Sequence, residues 1–232
     1  MTTGSRKVAI VDDHALLAEA LVIALRGQQL DAHCVSPSDD DDRQSVERRV
    51  LDTDPSIVVL DLDLGSAGDG MALVAGLNKR GIDVVVLTGS VDRTRHGEAL
   101  AQGAAAVLSK SAPFSDIVAA IRLVSEGRPV MPPDQQKTLI ADWRKVAAAR
   151  RDLRRRFSLI TRREAEVLGL LMDGRHVNEI ARLRFVSEST VRTQVKSILA
   201  KLEVSSQLTA VGLAHQLGWR PPQGDAKAAI GA

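Results

Sequence analysis

Five short apolar runs constrain the first half of this chain more than any other feature: Val8-Ala9-Ile10-Val11, 32–35, Ile57-Val58-Val59-Leu60, 84–87 and 104–108. Each is too short for a helix and the right length for a buried strand. Between them lie segments with helical spacing. Leu16, Leu17, Ala20, Leu21 and Leu25 form one apolar face, Met71, Leu73, Val74 and Leu77 a second, and Ile117, Val118, Ile121 and Val124 a third. Strands alternating with helices predict an α/β unit over residues 6–127, a doubly wound five-stranded parallel sheet covered on both sides. The acidic stretch 36–45, "SPSDDDDRQS", is expected to be a solvated loop.

No such run recurs beyond "EGRPVMPP" at 126–133. Residues 128–157 read as a basic helical linker, with helix predicted over 135–156 and Leu139, Ile140, Trp143 and Val146 on one side. Residues 158–219 show helical periodicity alone and predict an all-α unit of four helices. Residues 220–232 lack an apolar pattern and are expected to be disordered.

Charge separates the two halves. Residues 1–127 hold 12 Lys+Arg against 19 Asp+Glu, and residues 128–232 hold 19 against 10. An acidic unit followed by a basic one points to different partners, with nucleic acid the candidate for the second. Aromatic residues are 2% of the chain and tyrosine is absent, which argues against a surface that binds single strands by stacking. The single cysteine, Cys34, leaves no internal disulfide and fits a reducing cytoplasm. No apolar run is long enough for a membrane span, so no membrane partner is expected.

The polar residues that follow the apolar runs carry the chemistry. Asp12-Asp13 follow the first run, Asp61 the third, Thr88 the fourth and Lys110 the fifth. Parallel strands bring these positions to one sheet edge, where α/β folds place their functional groups. Three adjacent carboxylates repel unless a cation joins them, and an oxygen-rich, partly open site suits Mg²⁺. Asp61 is then a nucleophile able to form an aspartyl-phosphate. Lys110 would meet a phosphate oxygen as a point charge, and Thr88 would donate a hydrogen bond to another. His14 reads as a helix-start residue, with Asp13 a possible cap.

Residues 6–127 resemble the receiver domain of two-component response regulators. The matching pieces are "VAIVDDH", "PSIVVLDLDL", "VVVLTGS" and "GAAAVLSKSAPFSDIVAAI". The resemblance implies that Asp12, Asp13 and Asp61 bind Mg²⁺, with the backbone carbonyl of Asp63 a further ligand. It implies that Asp61 is phosphorylated by a sensor histidine kinase, and that Thr88 and Lys110 sense the phosphate. The Asp63 side chain, two residues past the nucleophile, is placed to influence hydrolysis. Leu64-Gly65 replace the family's Met-Pro, the following loop is a residue longer, and Val107 replaces its switch aromatic.

The basic half has its own pattern. Thr161 with Glu164 spells a capping box, and Gly174 ends the helix that follows. A short helix over 178–182, the turn "RFVS" and a helix capped by Ser187 follow. Arg192, Thr193 and Lys196 face outward on that helix, as on a helix that enters a DNA major groove. Residues 158–219 resemble the LuxR-type helix-turn-helix through "LITRREAEVLGLL", "NEIA", "VSESTVRTQVKSILAKLEV" and "QLTAV". The resemblance implies base contacts from Arg192, Thr193 and Lys196 on double-stranded DNA, and a homodimer contact through the last helix, 206–217. Gln194 stands where the family often has histidine.

Together the two resemblances imply a transcription regulator of the NarL/FixJ type, not an enzyme and without catalytic residues of its own. Two alternatives stand beside it. One is a regulator of the same fold that responds to a ligand or partner without phosphorylation, which the missing aromatic favours. The other is a dehalogenase-like phosphatase, which also uses "DLD" after an apolar strand. In that fold the acidic pair comes late in the chain, whereas Asp12-Asp13 precede Asp61 here.

Overall fold

A computed structural model describes residues 6–38 and 40–222. Five parallel strands, β1 (Lys7–Val11), β2 (Asp31–Cys34), β3 (Ile57–Asp61), β4 (Asp83–Thr88) and β5 (Ala106–Ser109), form one sheet in the order β2-β1-β3-β4-β5. Alternation of side chains builds two cores. Ala9, Val11, Val58, Leu60, Val84 and Val86 lie on one face with residues of α2 (Arg43–Asp52), α3 (Met71–Lys79) and α4 (Arg93–Ala101). Val8, Ile10, Ile57, Val59, Val85 and Leu87 lie on the other with α1 (Ala15–Gly27) and α5 (Phe114–Ser125). Every residue of β3 is buried, as a central strand covered on both faces requires.

The structure corrects several local expectations. The buried face of α1 is Ala18, Leu21 and Leu25, whereas Leu16 is 86% exposed and Ala20 also faces out. Apolar residues run almost unbroken through this helix, so spacing alone cannot choose its inner face. The acidic stretch 36–45 is not all loop. Asp42 accepts the Ser45 N–H at 2.8 Å while the Ser45 hydroxyl accepts the Asp42 N–H at 3.0 Å, and this reciprocal cap starts α2 at Arg43. β5 begins at Ala106, and Val35 lies just past β2.

The long helix α6 (Pro133–Ser158) extends beyond the span expected for it at both ends, and the chain divides into two compact units after Val146. The segment expected as a separate linker is thus shared between them. In the first unit Leu139 is buried, and a side chain on Gly97 of α4 would run into the Leu139 carbonyl and the Trp143 Cβ. The absence of a Cβ at Gly97 is what lets α6 lie this close to α4. Val146 is half exposed, so the expected apolar side of α6 ends before it.

In the second unit Phe157, at the end of α6, is buried with α7 (Arg162–Met172), α8 (Val177–Leu183), α9 (Glu188–Leu202) and α10 (Gln207–Leu217). Its ring packs at 5.5 Å from that of Trp219. Most of the tail expected to be disordered, from residue 223 onward, lies outside the described residues. Among the described residues no helix is long and apolar enough to cross a membrane.

The capping box of α7 does more than start a helix. Glu164 accepts the Thr161 N–H at 2.7 Å, and it also accepts Ser197 Oγ and Lys201 Nζ of α9, each at 2.6 Å. It is 7% exposed. Burial opposes its charge, but the hydrogen bonds from Lys201, Ser197 and Thr161 prevail and lower its pKa to about 2. A depressed carboxylate stabilises the fold above its unfolded pKa of about 4.3, and that contribution fades as pH falls toward 2. Glu164→Gln should therefore destabilise the second unit by on the order of 2–3 kcal/mol at pH 7. The gap to the wild type should close between about pH 5 and 2. Urea unfolding followed by Trp219 fluorescence in a Trp143→Phe background measures it; a gap independent of pH would contradict the assignment.

Candidate functional site

The strand register sets the site. Val11 pairs with Leu60, Asp61 with Leu87 and Thr88 with Ser109, so β1, β3, β4 and β5 end at one edge. Asp12, Asp61 and Thr88 sit there at 2–3% exposure. Lys110, just past β5, reaches across to bridge two of them. Its Nζ donates to Asp12 Oδ1 at 2.8 Å and to Asp61 Oδ2 at 2.6 Å. Asp61 Oδ1 accepts the Asp63 N–H at 3.2 Å. Asp12 Oδ1 also accepts the His14 N–H at 2.8 Å, while Asp12 Oδ2 is buried with no hydrogen-bond partner among the described residues.

Burial pushes the Asp61 carboxyl above the ordinary aspartate value, although the Lys110 ammonium and the Asp63 N–H pull it down. Burial also works against the charge on Lys110. Its hydrogen bonds to Asp12 and Asp61 outweigh that and raise its pKa. Lys110 therefore stays an ammonium across physiological pH.

Asp12, Asp13, His14 and Asp61 bring ligand-type atoms within 4.8 Å of one another. The buried Asp12 Oδ2, unpartnered among the described residues, leaves an acceptor free beside this group, and an oxygen-rich donor set fits a hard divalent ion. His14 holds the N-cap position of α1, as expected of a helix-start residue, but its side chain makes no capping bond. Its Nδ1 lies 2.7 Å from Asp13 Oδ1, so Asp13 turns to His14 and does not cap the helix. The Asp63 carboxylate stands apart. It is exposed, accepts the Gly65 N–H at 3.4 Å and is not in the four-residue group.

An open cavity of about 440 Å³ lies over Asp61. Thr88, Lys110, Asp63 and His14 line it, together with two residues that sequence alone does not point to, Asp69 and Arg95. Arg95, on α4, donates to Asp69 Oδ1 at 2.9 Å. Gly70 follows Asp69 of necessity, because any side chain there would collide with the Asp61 carbonyl.

A second surface is formed in the basic unit. Phe185 turns the chain at φ 54° between α8 and α9, and Ser187 caps α9 by accepting the Thr190 N–H. Arg192, Thr193 and Lys196 are all exposed, with Arg192 and Lys196 one turn apart. Arg192 pairs with Glu188 at 3.2 Å, and the Thr193 hydroxyl donates to the Ser189 carbonyl at 2.9 Å. Gln194 is half buried, with its Oε1 enclosed, so it does not join the exposed row.

Replacing Lys110 with methionine would leave the buried Asp12 and Asp61 side by side without a counter-charge. Lys110→Met should lower the stability of the first unit at pH 7 by about 3–5 kcal/mol. The deficit should shrink as pH falls and Asp61, already raised, takes up a proton. Urea unfolding at pH 7 and pH 5 checks both the size and the direction.

Comparison with known proteins covers both units. The model of the response regulator receiver domain matches residues 8–122, and that of the bacterial regulatory proteins of the luxR family matches residues 158–214. The transcriptional regulatory protein DegU of Brevibacillus brevis is 26% identical over 226 residues, spanning 92% of this chain and 94% of DegU. The regulator BvgA of Bordetella pertussis is 28% identical over 212 residues, 90% of this chain and 97% of its own. A solved RcsB–DNA complex superposes with a TM-score of 0.48 at 20% identity, over 92% of this chain and all of that one.

Proposed function

Because this chain belongs to the response regulators of the NarL/FixJ type, DNA-binding transcription regulators with a receiver domain and a LuxR-type helix-turn-helix, we propose that Asp61 is its phosphoacceptor and that phosphorylation controls DNA binding and dimerisation. The observation that carries this is the buried Asp12–Lys110–Asp61 bridge, with Asp12 Oδ2 unpartnered among the described residues and an open cavity over Asp61. A sensor histidine kinase is the phosphoryl donor. An Asp61 carboxylate oxygen forms the new P–O bond as the P–N bond of the kinase phosphohistidine breaks, and the imidazole leaves with that electron pair.

Asp12, Asp13 and Asp61, with the Asp63 carbonyl, would hold Mg²⁺. When bound it supplies the positive charge that lets a phosphoryl dianion approach three carboxylates. Lys110 then exchanges Asp61 Oδ2 for a phosphoryl oxygen, and Thr88 donates its hydroxyl to another. Arg192, Thr193 and Lys196 read the DNA, and α10 carries the homodimer contact. Leu208, 83% exposed on α10, supports that placement.

A regulator of the same fold without phosphate control is the second reading, and Val107 favours it. It packs partly buried against a sheet-face core and offers no ring to swing inward. Acetyl phosphate with Mg²⁺, followed by intact mass, separates the two. The wild type should gain one phosphoryl group, Asp61→Asn none, and Asp12→Asn little at any Mg²⁺ concentration. A wild type that stays unmodified would leave the second reading standing.

On DNA, Lys196→Ala should weaken binding by about 1–3 kcal/mol, relax preference at the base pair it faces and lower the salt slope. Arg192→Ala should cost about 1–3 kcal/mol and relax preference at one base pair. Titrations of a footprinted operator and its point variants at several salt concentrations measure both. Unchanged affinity in both variants would remove α9 as the reading helix.

A further inference from the structure

The cavity over Asp61 holds a second cation. Arg95 lies on the first turn of α4, half buried, and its one ion pair among the described residues is with Asp69 at 2.9 Å. Asp69 does not depend on it, since Asp69 Oδ1 also accepts the Met71 N–H at 3.0 Å. Both side chains are more than a third exposed, Asp69 by well over half, so the pair is held weakly. Arg95 and Asp69 line the same cavity as Asp61, Thr88 and Lys110. A phosphoryl group on Asp61 would bring three strong acceptor oxygens and a second negative charge into that cavity. A guanidinium is suited to such a target, because its fork binds two oxygens at once.

The same helix carries a second contact. Two residues after Arg95, Gly97 receives the Leu139 carbonyl and the Trp143 Cβ of α6 where its own side chain would be. The neighbouring His96 ring bonds the Ser90 carbonyl at 2.9 Å, tying this turn to the loop after β4. Any shift of the first turn of α4 toward the phosphate is therefore passed to α6 by direct contact within the first unit. This matters because Val107 stands where a moving ring would otherwise carry the signal.

Resting on the phosphoacceptor reading of Asp61, we propose that Arg95 is a phosphate-binding residue of this cavity. It exchanges Asp69 for the phosphoryl group, and α4 transmits the exchange to α6 at Gly97.

The test uses the full chain with Trp219→Phe, which leaves Trp143 as its single tryptophan. Acetyl phosphate with Mg²⁺ is added, intact mass reports uptake and Trp143 emission reports the α4–α6 contact. The parent should gain the phosphoryl group and change its emission. Arg95→Ala should take up the group roughly tenfold more slowly, for want of a charge-assisted hydrogen bond. At equal phosphorylated fraction it should show no emission change. Arg95→Lys, a point charge without the fork, should recover part of the rate. Gly97→Ala should keep the parental uptake rate and lose the emission response. If Arg95→Ala matches the parent in both readouts, the proposal is wrong. A parent that is phosphorylated with no change in Trp143 emission overturns the transmission to α6. A parent that takes up no phosphoryl group overturns the phosphoacceptor reading itself, and this inference with it.

Discussion

The Lys110 ammonium, shared between Asp12 and Asp61, is the interaction on which the first unit's functional edge depends. In the strand order β2-β1-β3-β4-β5, the lysine leaves the outermost strand and crosses the end of β4 to reach those of β3 and β1. Only a long, flexible side chain spans that width. Taking three charges out of water costs several kcal/mol for each ion, and well-packed apolar residues would serve stability as well or better. The arrangement is intelligible as a site kept ready for a further charge. On the function proposed above, Asp12 Oδ2, unpartnered among the described residues, and the Asp61 carboxylate are the groups that would meet a cation and then a phosphoryl group.

Much of this was legible in the residue pattern. The strands announced themselves as short apolar runs, and Asp12, Asp61, Thr88 and Lys110, each following a run, arrived at the same edge. Because a parallel sheet fixes where strands end, Asp12, Asp61, Thr88 and Lys110 could be placed together without coordinates. The Thr161–Glu164 cap and the outward row on α9 were readable for a similar reason, since both follow from local helix geometry.

What stayed hidden was of two kinds. The inner face of α1 was ambiguous because apolar residues lie nearly all round it, and packing against α5 and the sheet decided in favour of Ala18, Leu21 and Leu25. The Arg95–Asp69 pair, the seating of α6 on Gly97 and the ties from Ser197 and Lys201 to Glu164 join residues far apart in sequence, through side chains whose types are ordinary on any surface. Nothing in spacing distinguishes an arginine that lines a cavity from one that faces solvent. The cap inside the acidic stretch was masked differently: four successive aspartates offered no ground for choosing Asp42.

The Glu164 carboxylate sets the azimuth of α9. Ser197 and Lys201 are one turn apart on α9, and Ser197 directly follows Lys196. Consecutive residues on an α-helix are offset by about 100°, so two bonds to one carboxylate stop α9 from rolling about its own axis. A roll of that size would carry Lys196 and Arg192 off the exposed side altogether. The direction in which α9 presents its basic row is therefore governed by a residue on another helix, whose side chain never leaves the interior.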